Sequence, residues 1–223
     1  MYEFGTRKLT IAQETRAETH GRGARGKPGQ WRAKRLMDFF GALVLTVFLA
    51  PLLIMTALAI KAGSRGPAIF TQLRTGRDGQ QFRILKFRTM QVMEEGDAVV
   101  QATPNDSRLT RIGAFLRRTS IDELPQLINV VRGEMSLVGP RPHALLHDDE
   151  FGALVADYQL RFRVRPGITG LAQVNGHRGA ILSREQIIVR VQLDNAYIDN
   201  WSLLGDIRIL LKTALGLPFH RAF

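Results

Sequence analysis

Apolar residues are distributed along this chain in three distinct patterns. The first is an unbroken run, Phe39–Ile60, of 22 residues without a charge. As one helix it would reach about 33 Å, enough to cross a bilayer core of roughly 30 Å. The second is strand-like: Ala68–Arg74 and Gln81–Lys86 flank Gly76-Arg77-Asp78-Gly79, which predicts a hairpin. The third is helical spacing. Leu109, Ile112, Phe115 and Leu116 share a face behind a cap at Asn105-Asp106-Ser107, in a helix ending at Arg117-Arg118. Leu124, Leu127, Ile128 and Val131 share the next face. Glu94–Thr103 reads as loop or short helix, Gly152–Arg163 and Glu185–Tyr197 as helices, and Leu171–Asn175 as a short strand after the turn Arg165–Gly170. Leu203, Ile207, Leu210, Ala214 and Leu217 form the apolar side of a last helix that faces a core or lies in a membrane interface. The fold class is α+β, dominated by helices.

Charge changes the reading of the long apolar run. Lys34 and Arg35 precede it and Lys61 and Arg65 follow it, so both ends favour the cytoplasmic side of a membrane. Pro51 removes a backbone donor near the middle and crowds the preceding turn. A helix broken at Ala50-Pro51, entering and leaving on one face, satisfies both facts. A straight span satisfies neither. A cleaved leader is disfavoured because the run is too long and starts too late, despite Ala57-Leu58-Ala59. Asp38 at the entry is costly in lipid and needs a partner, Lys34 or Arg35. The tract from His20 to Gln30 is rich in Gly and Arg and is predicted to be disordered.

The chain of 223 residues carries a net charge of +11 and no cysteine. Thiolate metal sites and a disulfide framework are thereby excluded. The positive charge calls for polyanionic partners: nucleic acid, lipid headgroups or nucleotide phosphates. Nucleic acid is disfavoured, since no reader motif or basic-aromatic interleaving occurs and the apolar run would have no use.

The densest chemistry lies in Arg117-Arg118-Thr119-Ser120-Ile121-Asp122-Glu123-Leu124-Pro125-Gln126, with Asn129, and in Gly139-Pro140-Arg141-Pro142. Ser120-Ile121-Asp122-Glu123 matches a capping box. Pro125 argues instead for Asp122 as the cap, placing the proline where no donor is required. His147-Asp148-Asp149-Glu150 has the composition of a metal cluster but reads better as a solvated helix entry. His177 reads as a polar loop residue, and Trp201 as an interfacial or core anchor.

Taken in order, these pieces resemble the bacterial sugar transferases, the monotopic polyprenol-phosphate phosphoglycosyl transferases. The matching pieces are Lys34-Arg35-x-x-Asp38, the apolar run with Pro51, Lys86-Phe87-Arg88-Thr89-Met90 and Asp106-x-Arg108-x-Thr110-x-x-Gly113. They continue through Arg117-x-x-Ser120-x-Asp122-Glu123-Leu124-Pro125-Gln126, Gly139-Pro140-Arg141-Pro142, Arg165-Pro166-Gly167-Ile168-Thr169-Gly170 and Asn200-Trp201-Ser202. The resemblance implies transfer of a sugar-1-phosphate from a UDP-sugar to undecaprenyl phosphate, with release of UMP, at the first membrane step of exopolysaccharide or other glycoconjugate assembly. It implies Asp122 as a nucleophile that forms a phospho-sugar intermediate, a Mg2+ requirement and a re-entrant anchor. A non-catalytic membrane scaffold of a polysaccharide assembly complex is the alternative.

Residue roles follow from that expectation. Glu123 is the expected magnesium ligand, with Asp122 sharing. Arg88, Arg117 and Arg141 can clamp phosphoryl oxygens. Arg165, Thr169, Gln173, Asn175 and Arg178 are further substrate-binding candidates. Where the family commonly reads Asn-Gly-Arg, this chain has Asn175-Gly176-His177-Arg178, so either Arg178 or His177 fills the position. Residues 1–32 are expected to be a basic tail, 33–62 a re-entrant helix–break–helix, and 63–223 a cytoplasmic catalytic domain with interfacial amphipathic helices. The expected location is the cytoplasmic face of the bacterial plasma membrane, in contact with its lipids. Neither the sugar nor self-association into a homo-oligomer can be read from these motifs.

Overall fold

The computed structural model describes residues 28–91 and 106–216. Most of the basic tail and the Glu94–Thr103 stretch lie outside the described residues. Helices α1 (Pro28–Phe48) and α2 (Ala50–Gly63) meet at Leu49 with a bend of 61°. The break falls at Leu49, one residue before the expected Ala50-Pro51, which instead open α2. Pro51 has no N–H to return to the Val47 carbonyl, so the ladder loses a rung there. Leu49 and Leu53 on either side still bond Leu45 O and Leu49 O at 2.9 Å. No single described helix is long and apolar enough to cross a membrane, whereas the bent pair is, by length and composition. The tract predicted to be disordered is already helical over Pro28–Gln30, where proline suits a first helical turn.

The two helices have unlike faces. Phe40, Val44, Val47, Phe48, Ile54, Met55 and Leu58 are exposed, while Lys34, Asp38 and Ala42 are buried one turn apart along α1. Ala42 packs in the main core with Phe82, Ile84, Leu127, Val130, Leu137, Tyr197 and Ile209. Asp38 accepts the Leu137 N–H at 3.0 Å and the Ser136 hydroxyl at 2.8 Å. Its expected pairing with Lys34 is present at 3.6 Å, but Lys34 Nζ lies nearer to Asp206, at 2.7 Å. Arg35, the other expected partner, turns away. It donates to the carbonyls of Val130 and Val131 at 2.6 and 2.9 Å, satisfying the open end of a neighbouring helix.

Strands β1 (Ile69–Thr75) and β2 (Gln81–Phe87) form the predicted antiparallel hairpin, running from Ile69↔Phe87 to Thr75↔Gln81. Helix α3 (Arg111–Thr119) begins one turn later than expected. Thr110 is the cap, accepting the Gly113 N–H at 2.9 Å, while Asp106 is engaged with Arg108. A Cβ on Gly113 would stand 1.9 Å from the Thr89 carbonyl oxygen, so only glycine lets α3 lie this close to the Arg88-Thr89 segment. Helix α4 (Gln126–Arg132) leads into β3 (Ser136–Val138), which pairs in parallel with β4 (Gly167–Thr169).

The stretch read as one helix from Gly152 is two pieces: α5 (Leu145–Leu154) and a 3-10 stretch (Ala156–Arg163), divided at Val155. Leu171–Asn175 is not a strand. Its first four residues form a helical turn, α6 (Leu171–Val174), in which the Val174 N–H returns to Gly170 O at 3.1 Å. An apolar run that short has no periodicity to separate strand from helix. Helices α7 (Arg184–Asp199) and α8 (Leu203–Gly216) complete the described chain. On α8, Leu203, Leu204, Ile207, Leu211 and Leu215 are exposed, whereas Asp206 and Ile209 are buried.

Candidate active site

The acid pair sits on a tight turn between two helices. Ser120 closes α3 in the left-handed region (φ 59°), and Ile121–Glu123 follow as one 3-10 turn. The i→i+3 bond from the Leu124 N–H to Ile121 O takes the carbonyl that Pro125 could not serve. Neither capping register read from the sequence holds: Ser120 ends a helix rather than starting one, and no side chain caps α4. The Ser120 hydroxyl instead accepts from Arg178 Nη2 at 2.6 Å.

Asp122 and Glu123 are both buried, with opposite surroundings. Glu123 accepts from both terminal guanidinium nitrogens of Arg141, at 2.6 and 3.2 Å, and from Lys86 Nζ at 2.9 Å, while Arg178 stands 3.5 Å away. Burial alone would raise its pKa, but Arg141, Lys86 and Arg178 together hold this carboxyl well below the usual range. Asp122 has no hydrogen-bond partner among the described residues. Burial, followed by the charge of Glu123, pushes it up to about 6, against the pull of Lys86, Arg117 and Arg141. One carboxylate is therefore an anion held by three cationic side chains, and the other an acid whose charged form its surroundings disfavour.

Arg141 reaches Glu123 from a loop held by backbone contact. The Gly139 N–H bonds Thr169 O and the Gly167 N–H bonds Pro140 O, both at 2.9 Å. A Cβ on Gly167 would come within 2.1 Å of Gly139 N, which accounts for glycine on both sides. Behind the loop, Arg161 donates to the Arg141 carbonyl at 2.6 Å and pairs with the buried Asp194 at 2.9 Å. Arg117 donates from Nε to the Thr89 hydroxyl at 3.0 Å and lies within electrostatic reach of Asp122.

Other expected site residues bond elsewhere. Arg88 donates to Ser64 O and Oγ at 2.9 Å and to the Arg65 carbonyl, just past the end of α2. Arg165 donates to Gly133 O at 2.7 Å, closing α4 beside Arg35. Thr169 shares a hydrogen bond with Thr213 at 2.8 Å, and Asn175 bonds back to Leu171 O at 2.7 Å. Gln173 makes a long 3.5 Å contact to Ile168 O. Of the two alternatives after Gly176, Arg178 reaches the acid turn. In the His147–Glu150 run, Asp148 is buried against the Thr75 and Tyr158 hydroxyls while His147 pairs with Glu150, and no metal-holding group of three such side chains occurs among the described residues. Trp201 is a core anchor, stacked on Trp31 at 4.6 Å and bonded to Asp206 at 3.1 Å.

Lys86 is the residue that sequence reasoning overlooks. A signal for it exists: positions 82 and 84 of β2 are buried, and Lys86 follows in the same phase, a lysine on the inward face of a strand. The residues present do not fit a metal held by Glu123, because its oxygens are already occupied by three cationic side chains.

Lys86, Arg117 and Arg141 thus act on Asp122, while Arg178 stands beside Glu123, so positive charge is concentrated around the acid turn. The family model for bacterial sugar transferases matches residues 29–219, and the chain belongs to that family. A UDP-glucose:undecaprenyl-phosphate glucose-1-phosphate transferase of Caulobacter vibrioides is 52% identical over 184 residues, 82% of this chain and 69% of the relative. A protein of the same description from Klebsiella pneumoniae is 48% identical over 180 residues, and there the chain spans only 39% of the relative's length. An exopolysaccharide production protein of Rhizobium leguminosarum bv. phaseoli is 42% identical over 191 residues, 94% of its length.

Proposed function

We propose that this protein transfers a sugar-1-phosphate from a UDP-sugar to undecaprenyl phosphate, releasing UMP, through a covalent intermediate on Asp122. The observation that carries the reading is the contrast between Asp122, which has no hydrogen-bond partner among the described residues, and Glu123, which is paired with Lys86 and Arg141. In the first step an Asp122 carboxylate oxygen attacks the phosphorus that bears the sugar. The bond from that phosphorus to the bridging oxygen breaks, and UMP leaves with the electron pair. In the second step a phosphate oxygen of the polyprenol phosphate attacks the same phosphorus and expels the carboxylate. Two easier displacements replace one, and each depends chiefly on positioning and charge stabilisation. Lys86, Arg117, Arg141 and Arg178 supply that charge. Magnesium, which the family resemblance implies, is proposed to arrive on the donor diphosphate, since Glu123 has no oxygen to spare.

The bent pair α1–α2 is proposed to dip into the cytoplasmic face of the bacterial plasma membrane as a re-entrant anchor, with the exposed leucines of α8 lying in the interface. The catalytic domain then follows from residue 63. Mass spectrometry after mixing with UDP-sugar and no lipid tests the chemistry: a hexose-phosphate should appear on the peptide containing Asp122, with UMP released. Strict dependence of UMP release on polyprenol phosphate, with no adduct, would mean that the lipid attacks directly. A panel of UDP-sugars would identify the sugar, and no release from any of them would favour the scaffold.

A further inference from the structure

We propose that Asn129 is a positioning residue for this site: its carboxamide stands in for a third strand on β2 and so sets Lys86 on Glu123. The inference rests on the phosphotransfer reading above. Asn129 is 0% exposed. Its Oδ1 accepts the Leu85 N–H at 3.0 Å, and its Nδ2 donates to Arg83 O at 2.8 Å and to Glu134 Oε2 at 2.6 Å. Two acceptors lie on one side of the amide and one donor on the other, so these partners fix which way it points. Residues 83 and 85 of a strand present backbone groups to the same edge, here the edge away from β1. One side chain therefore makes the two-point contact that a neighbouring strand would make.

The placement of this contact gives it a role beyond stability. Leu85 immediately precedes Lys86, and Asn129 lies on α4, the helix that grows out of the acid turn. The staple thus joins the two elements that carry the two halves of the 2.9 Å Lys86–Glu123 pair. Glu134 orients the staple through a short, charge-assisted bond. Beside the staple, β2 and α4 meet through the apolar packing of Phe82 and Ile84 with Leu127 and Val130, which is less directional than these hydrogen bonds.

Three proteins test the idea: Asn129→Ala, Lys86→Met and the double variant. Asn129→Ala should lower kcat for UMP release about 10- to 100-fold with KM for the UDP-sugar nearly unchanged, and the double variant should be no worse than Lys86→Met within about threefold, because both changes act through one contact. Losses that multiply in the double variant, or a loss confined to KM, would overturn it. A second measurement does not need turnover. Acetylation of Lys86 by acetic anhydride, followed by mass spectrometry, should be severalfold faster in folded Asn129→Ala than in the wild type. Unchanged reactivity overturns the proposal, whereas a wild type inactive on every UDP-sugar would sink the functional reading alone. Should Asn129→Ala not fold, Glu134→Ala must show the same faster labelling to a smaller degree.

Discussion

Asp122 sits in an environment that opposes its own charge. Its folded pKa of about 6 lies above the ordinary 3.8, so the contribution it makes to stability is present while it is protonated and is lost as pH rises through 6. Asp122→Asn should therefore abolish adduct formation and turnover while raising the melting temperature at pH 8. The gain should be of order 1–3 kcal/mol and fade as pH falls toward 4. In the wild type, single-turnover adduct formation should rise with pH through about 6 as Asp122 ionises. A flat profile across that range would remove Asp122 from the chemistry. The Arg178 contacts predict a second contrast. Arg178→Ala should cost turnover about tenfold or more through its lost charge-assisted bonds, while His177→Ala should leave it within about twofold. These roles were not equally readable. Asp122, Glu123, Arg117 and Arg141 stand in contiguous motifs, whereas Lys86 joins them only when the hairpin folds back, a contact 37 residues away in sequence. The surroundings of Arg88 were hidden for the same reason: nothing in Lys-Phe-Arg-Thr-Met shows that α2 ends beside it.

Between elements, close backbone approach is the governing feature. Gly113 brings α3 onto the Thr89 carbonyl and so places Arg117 against the Thr89 hydroxyl. Gly113→Ala should shift α3 outward and cost about 2–4 kcal/mol, with the loss seen both in thermal melting and in weaker adduct formation, since overpacking here meets backbone. Thr110→Ala, which removes only a cap, should cost about 1 kcal/mol and spare the chemistry. The hairpin was legible because Gly and Asp mark its turn, and Asp78 and Gly79 do take positive φ. The 3-10 turn was not, because Ser-Ile-Asp-Glu satisfies a capping pattern locally and only the left-handed Ser120 decides against it. Leu171–Val174 failed for want of length.

Across the whole molecule, the proposed anchor and the site share a core. Lys34 Nζ donates to Val138 O at 3.1 Å, and Asp38 holds Leu137, on the strand that runs into Gly139-Pro140-Arg141. Removing residues through Phe48 should therefore unfold the rest instead of releasing a soluble enzyme, as a melting curve would show. Cysteines placed at positions 30 and 65 should both be labelled from the cytoplasmic side. Labelling of position 30 from the periplasm alone would sink the re-entrant arrangement.

The unbroken course of α1 from Lys34 to Phe48 also makes it a gauge. Roughly 21 Å of helical rod links the ion-paired end to the break. In the proposed re-entrant arrangement, the height and the heading of the reaction centre over the lipid are dimensions of a single part, not the outcome of two domains finding each other. One extra residue inserted near Thr46 would turn the apolar side of everything beyond it by about 100° relative to Arg141 and lengthen the rod by about 1.5 Å.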